Sequence, residues 1–257
     1  MQPIRTMFPA ILVALTLSVG ACSGGSAPAG DVQTGLERAD DHAIGSTDAR
    51  LTITEYASVA CHACADFHDA IWPMLSVEYI ETGKVRFVLR EMLNGSAQLA
   101  VVGFSLAHCV APERYFDMVD LLFQQQNAIF QAAGQPGGAR NQYLILARSM
   151  GMSEAAFDAC LNNPDISAPI IASNDRAMSE GVNGTPRIFL NGEQLDARRA
   201  SGAAGATYFL GDTQILLDGE PVPARVDADT YRRILDHLLA QLDTETGEGS
   251  DPADAED

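Results

Sequence analysis

Four consecutive residues, Cys61-His62-Ala63-Cys64, carry the chemistry of this chain. Two cysteines two residues apart can make and break a disulfide between themselves, provided the first is reactive. Thiolate, not thiol, is the nucleophile, and a helix start favours it. There the unpaired backbone N–H groups and the macrodipole stabilise negative charge. Soft thiolates also bind copper or zinc, and His68, four residues after Cys64, could share a helical face with Cys61 and Cys64. A closed zinc site needs a fourth ligand, which no second CxxC or histidine pair supplies, and His68 reads more simply as a helix surface residue. A third use, a structural disulfide in a binding module, is disfavoured because such a small loop constrains little.

The elements around the motif put it at a helix N-terminus. Leu51 to Tyr56 alternates apolar and polar residues at the strand period. Phe67, Ile71, Trp72, Leu75 and Tyr79 then follow at three- and four-residue spacing, a helical stripe that Pro73 is expected to kink. Lys84 to Arg90 reads as a second strand, and a block of helices follows: Ala97–Cys109, Pro112–Phe123, Tyr143–Met150, Ser153–Leu161 and Pro164–Glu180. Gln124 to Asn141, glycine-rich in its middle, reads as a loop. Pro186 to Leu190 is a strand turning at Asn191-Gly192, Gln214 to Glu220 a related strand–turn, and Asp227 to Leu242 a closing amphipathic helix. The expected class is α/β: a βαβ unit and a β-hairpin with helix, with helices inserted between them.

Two further positions stand out in the strands. Glu55 shares a strand face with Leu51 and Ile53, where burial would raise a carboxyl pKa until it can shuttle a proton. Thr185-Pro186 opens a strand just after Gly184, a setting that suits a cis proline.

The ends read differently. Arg5, the apolar run Met7–Val19 and the small residues before Cys22 form an export signal over residues 1–21, too short to span a membrane comfortably. Val19-Gly20-Ala21-Cys22 resembles the lipobox of bacterial lipoproteins, which implies lipid modification of Cys22; ordinary cleavage beside an incidental cysteine is the alternative. Residues 22–40 then serve as a flexible tether, 41–242 as the folded domain with its helical insertion over about 95–181, and 243–257 as a disordered acidic tail. The chain has 16 basic and 34 acidic residues, net −18, which argues against nucleic acid and against electrostatic adhesion to anionic lipid.

Three segments together resemble the DsbA-like branch of the thioredoxin superfamily: Ile44–Ala49, Thr54–His68 around the CxxC, and Gly181–Pro186. The similarity covers about residues 41–195 plus the last helix. It implies a thioredoxin-like fold with a helical insertion between the second and third core strands. It also implies Cys61 as exposed nucleophile, Cys64 as buried resolving thiol and Glu55 as proton relay. The Thr185-Pro186 backbone would pair with extended client segments by β-augmentation. His62 would stabilise the Cys61 thiolate, although the pattern best known in that branch, Cys-Pro-His-Cys, has proline where His62 stands. Related proteins often carry a second disulfide in the inserted helices, and Cys109 and Cys160 resemble that pair; two buried thiols are the alternative.

The expected function is therefore disulfide formation in exported proteins by a lipid-anchored, extracytoplasmic enzyme. It needs no cofactor beyond the Cys61–Cys64 couple and is re-oxidised by a DsbB-like membrane partner. The competing expectations are a reductase or isomerase, and a copper- or zinc-binding chaperone using Cys61, Cys64 and His68. An isomerase of the known dimeric type would need an N-terminal dimerisation domain, for which Ser23–Asp40 is too short.

Overall fold

The computed structural model describes residues 36–199 and 205–247; the expected export signal, Cys22, most of the tether and residues 248–257 lie outside them. The sheet is built around β2 (Leu51–Ala57), which pairs in parallel with β3 (Val85–Glu91) and antiparallel with β4 (Arg187–Leu190). A parallel pair needs a crossover, supplied by α1 (His62–Leu75). Short β1 (His42–Ile44) adds to the outer edge of β3. On the other side β5 (Glu193–Arg198), β6 (Thr207–Leu210) and β7 (Thr213–Gln214) follow β4, giving the order β1-β3-β2-β4-β5-β6-β7. A separate hairpin, β8 (Leu216–Leu217) and β9 (Glu220–Pro221), precedes the last helix.

Every residue of β2 is buried, Thr52 and Thr54 included. The alternating residues thus belong to a central strand covered on both faces. Between β3 and β4 stand α2 (Ala97–Cys109), α3 (Tyr115–Gln124), α4 (Gln126–Ala133), α5 (Gly138–Ser149), α6 (Glu154–Leu161) and α7 (Pro164–Ser179). The chain thus has a thioredoxin-like α/β fold with a helical region between its second and third core strands.

Four expectations change. The loop expected over Gln124–Asn141 contains α4 and the start of α5; Ile129 is fully packed, so a tertiary contact fixes a helix that the flanking glycines obscure. Helix α1 runs through Pro73 and continues as a π-helical turn over Ser76–Ile80. The tether ends sooner than residue 40, because ion pairs Glu37–Arg86, Arg38–Glu180 and Asp40–Arg176 bind its last residues to the domain. The last helix, α8 (Ala228–Gly247), extends five residues into the segment read as acidic tail. Among the described residues no helix is long and apolar enough to cross a membrane.

Candidate active site

Cys61 caps α1. Its backbone is extended (φ −104°, ψ 119°), and its carbonyl accepts from the N–H groups of Cys64 (3.1 Å) and Ala65 (3.2 Å). The strand-to-helix transition is held from two sides. Ser58 donates its hydroxyl to the Asn94 carbonyl (2.7 Å) and accepts from the Ala60 N–H (3.2 Å). Gly95, in the left-handed region at φ +79°, lies so close to Ala60 that a Cβ there would stand 2.0 Å from its carbonyl oxygen. From the helical region, Gln126 Nε2 donates to the carbonyls of Val59 (2.9 Å) and Cys61 (3.0 Å).

The two sulfurs occupy unequal surroundings. Cys61 is half-buried, Cys64 is 0% exposed, and both are free thiols. The Cys61 thiol is lowered from 9.0 to about 5, above all by the hydrogen bond from Cys64. Its own partial burial opposes this, while Thr185 and the backbone N–H groups of Cys64 and Ala63 add to it. Cys64 is pushed well up, first by burial, then by that same hydrogen bond and by the charge of Glu55.

The Thr185–Pro186 bond is cis, and the Thr185 carbonyl lies 3.5 Å from the Cys61 sulfur, within reach of its S–H. Thr185 Oγ1 is buried with no partner at ordinary hydrogen-bond geometry, yet it is near enough to both sulfurs to favour thiolate on each. Beyond Pro186 the chain enters β4, which pairs Ile188 with Glu55.

Beneath Cys64, Glu55 is 0% exposed, and its Oε2 lies 3.1 Å from Nε2 of His68. His68 is not a helix surface residue. It is 3% exposed and stacks between Trp72 (5.2 Å, 29°) and Phe123 (4.1 Å, 25°). The reason is visible in spacing: Cys64, His68, Ile71 and Leu75 form the inward stripe of α1. An unpaired carboxylate this deep would cost several kcal/mol, and His68 is the group that answers it. Among the described residues, His68 and the two sulfurs do not gather as a group of possible metal ligands. Glu55 Oε1 and His68 Nδ1 are buried without partners, so the pair has capacity left to hold or pass a proton. His68 also lines an open cleft of about 490 Å³ that runs along α1 past Asp69, Trp72 and Phe123.

His62 departs from expectation. It is exposed, and its ring leans on Phe130 of α4 (4.7 Å between centroids) with no hydrogen bond to Cys61 among the described residues. First on the helix, its side chain projects outward, and the groups that chiefly lower the Cys61 thiol are Cys64, Thr185 and the backbone N–H groups of Cys64 and Ala63. Cys109, at the end of α2, and Cys160, in α6, are joined by a disulfide away from this site. The Asn94-Gly95 turn and Gln126, which hold the motif, escaped sequence reasoning: the dipeptide is a local turn signal, but nothing local marks Gln126.

A family model described as Thioredoxin matches residues 37–205. The chain belongs to the thioredoxin family. Within it, a Rickettsia conorii chain provisionally named a protein-disulfide oxidoreductase is 30% identical over 162 residues, 60% of this chain and 54% of that one. Disulfide bond formation protein D of Bacillus subtilis is 23% identical over 151 residues, 58% of this chain and 66% of that one. The chain thus spans about half the length of the Rickettsia relatives it matches. Among solved structures, alpha-DsbA1 of Wolbachia pipientis superposes with a TM-score of 0.61 at 19% identity, covering 83% of this chain and 99% of that one. BdbD of Bacillus subtilis gives 0.57 at 16% identity, covering 78% and 94%. The thioredoxin-like fold with its helical region is the fold of these DsbA-like structures.

Proposed function

We propose that this thioredoxin-family chain is an extracytoplasmic thiol–disulfide oxidoreductase that introduces disulfides into exported proteins. A client thiolate attacks the Cys61 sulfur of the Cys61–Cys64 disulfide, forming a mixed disulfide and displacing Cys64. The displaced sulfur takes a proton, delivered by Glu55 with His68 behind it. A second client thiolate then attacks the client sulfur of the mixed disulfide, so the client leaves oxidised and Cys61 departs as thiolate. Two electrons remain on the Cys61–Cys64 dithiol, and a DsbB-like membrane partner removes them. Extended client backbone is received beside Thr185 and Pro186, and Cys22 carries the lipid that keeps the enzyme at the membrane.

The observation that carries this role is the inequality of the two thiols. A Cys61 thiol near 5 is a good leaving group, and at neutral pH its ionisation stabilises the reduced pair, which makes the disulfide more oxidising. Cys64, pushed the other way, attacks poorly once protonated, so the mixed disulfide lives long enough to meet the second client thiol. The names of the Rickettsia and Bacillus relatives agree with this chemistry.

Equilibration with glutathione tests the direction. A Cys61–Cys64 potential near that of strong oxidants, about −120 mV, fits the proposal; one near about −270 mV, where thioredoxin lies, makes the enzyme a reductase. Thiol trapping in cells should then find the pair mostly oxidised.

A further inference from the structure

On the far edge of the sheet a second group of side chains converges without a part in thiol exchange. His42 of β1 lies opposite Leu89 of β3, so the pleat sends His42 and Glu91 to the same face. Helix α2 crosses that face and brings His108 from its last turn. The two Nε2 atoms are 3.3 Å apart, His108 Nε2 is 2.9 Å from Glu91 Oε1, and all three atoms lie within 4.8 Å of one another.

Protons satisfy this arrangement poorly. A neutral imidazole nitrogen carries either a hydrogen or a lone pair, never both in the ring plane. If His108 Nε2 donates to Glu91, the His42 nitrogen has only a share of that one hydrogen. If both nitrogens carry hydrogens, two donors collide. A cation removes the conflict by accepting all three lone pairs. Ligands about 2.0–2.1 Å from a tetrahedral ion stand about 3.3 Å from one another, which is the separation of the two nitrogens.

The surroundings are those of a prepared site. The Tyr115 hydroxyl donates to the same Glu91 Oε1 (2.7 Å), and its ring lies flat on His42 (3.6 Å between centroids, 6° between planes). Such outer contacts fix ligand orientation before an ion arrives. Ser173 holds the Glu91 carbonyl (3.0 Å). Beside the cluster is a cavity of about 30 Å³, room for an ion with a water. The guanidinium groups that also line it are each matched by a carboxylate: Arg38 by Glu180, Arg90 by Asp41 and Arg176 by Asp40. They therefore leave little net repulsion toward a cation.

We propose that His42, Glu91 and His108 form a binding site for a divalent zinc ion, with a fourth position open to water. Two imidazoles and one carboxylate suit zinc better than magnesium or calcium, which take oxygen sets. The ion would staple the first strand to the helix that ends in Cys109, giving the domain edge a metal crosslink beside its disulfide.

The test uses the full chain with Cys22→Ser, Cys61→Ser and Cys64→Ser, so that no thiol outside the Cys109–Cys160 disulfide competes. Zinc is titrated against a chromogenic chelator, and Tm is followed with and without the metal. One zinc per chain and a higher Tm are expected. His42→Gln or His108→Gln should weaken binding about 100-fold, and Tyr115→Phe, which keeps the ring but removes the hydroxyl, about tenfold. Binding that is absent, or equally tight in all these variants, overturns the site. Should the histidine variants fail to fold, cobalt decides on the unaltered cluster. Visible absorption of a four-coordinate ion, weakened by Tyr115→Phe, supports the site, and its absence overturns it.

Discussion

Cys61 and Cys64 stand one turn apart at the start of α1, one half-buried and one fully buried, whereas Cys109 and Cys160 tie the end of α2 to α6 across 51 residues of chain. The residues are identical, and what surrounds them assigns the chemistry. The first pair closes a loop too small to restrain the unfolded chain. Its free energy goes into an asymmetry between two sulfurs, sustained by a buried carboxyl, a threonine hydroxyl and a helix start. The second pair joins two helices and closes a long loop, where a crosslink acts chiefly on unfolded-state entropy. Reactivity and stability are thus separated into different parts of one fold.

That separation can be broken from either side. Cys61→Ser should reduce client oxidation to background, measured as oxidative refolding of a reduced substrate, while Tm stays near wild type. Cys109→Ala with Cys160→Ala should do the reverse. It should lose about 4 kcal/mol in urea unfolding, as chain entropy gives for a loop this long, while each folded molecule keeps its exchange rate. Similar losses of activity in both variants would merge the two roles.

The buried support of the first pair comes next in size. His68→Phe strands Glu55 and should cost about 3 kcal/mol at neutral pH; adding Glu55→Leu should recover part of that loss, measured as a double-mutant cycle. Glu55→Gln alone should slow proton delivery to Cys64, and so the release of Cys64 from its disulfide, by about 100-fold, with the Cys61 titration nearly unchanged.

The same asymmetry has a signature in pH. Cys61 has a lowered pKa in the folded reduced state, so its contribution is present above the unfolded value and is lost as pH falls towards about 5. The Tm of the reduced protein relative to the oxidised one should therefore rise between about pH 5 and pH 8, and thiolate absorbance near 240 nm should titrate with a midpoint near 5. Cys61→Ser should remove both signals. Thr185→Val, which keeps the side-chain shape but removes the hydroxyl, should raise that midpoint by roughly half a unit to one unit, the worth of one modest hydrogen bond.

What could be read in the chain follows the same division. The CxxC, the Gly-Thr-Pro turn and the polar residue on an apolar strand face are local patterns, and local patterns survive in sequence. The central sheet and the helical block were legible because periodicity reports burial. His68 was misassigned because a histidine on a helix is ordinarily solvated, and only the carboxyl from a neighbouring strand explains why this one is inside. Gln126 and α4 were hidden because a glutamine beside a glycine-rich run resembles a loop until its two carbonyl partners, 65 and 67 residues away, are known. His62 failed for the opposite reason: adjacency to a cysteine says nothing about direction, and the first helical position points away.

Gln126 has a consequence in time as well as in space. Its amide hydrogens clamp the carbonyls on both sides of Ala60, yet the clamp belongs to α4, in the helical region rather than the sheet. Any local opening of α4 releases the approach to Cys61 at that moment. The backbone amides of α4 and those of the Ser58–Cys64 segment should therefore behave as one cooperative unit in hydrogen exchange, with a common opening free energy below that of global unfolding.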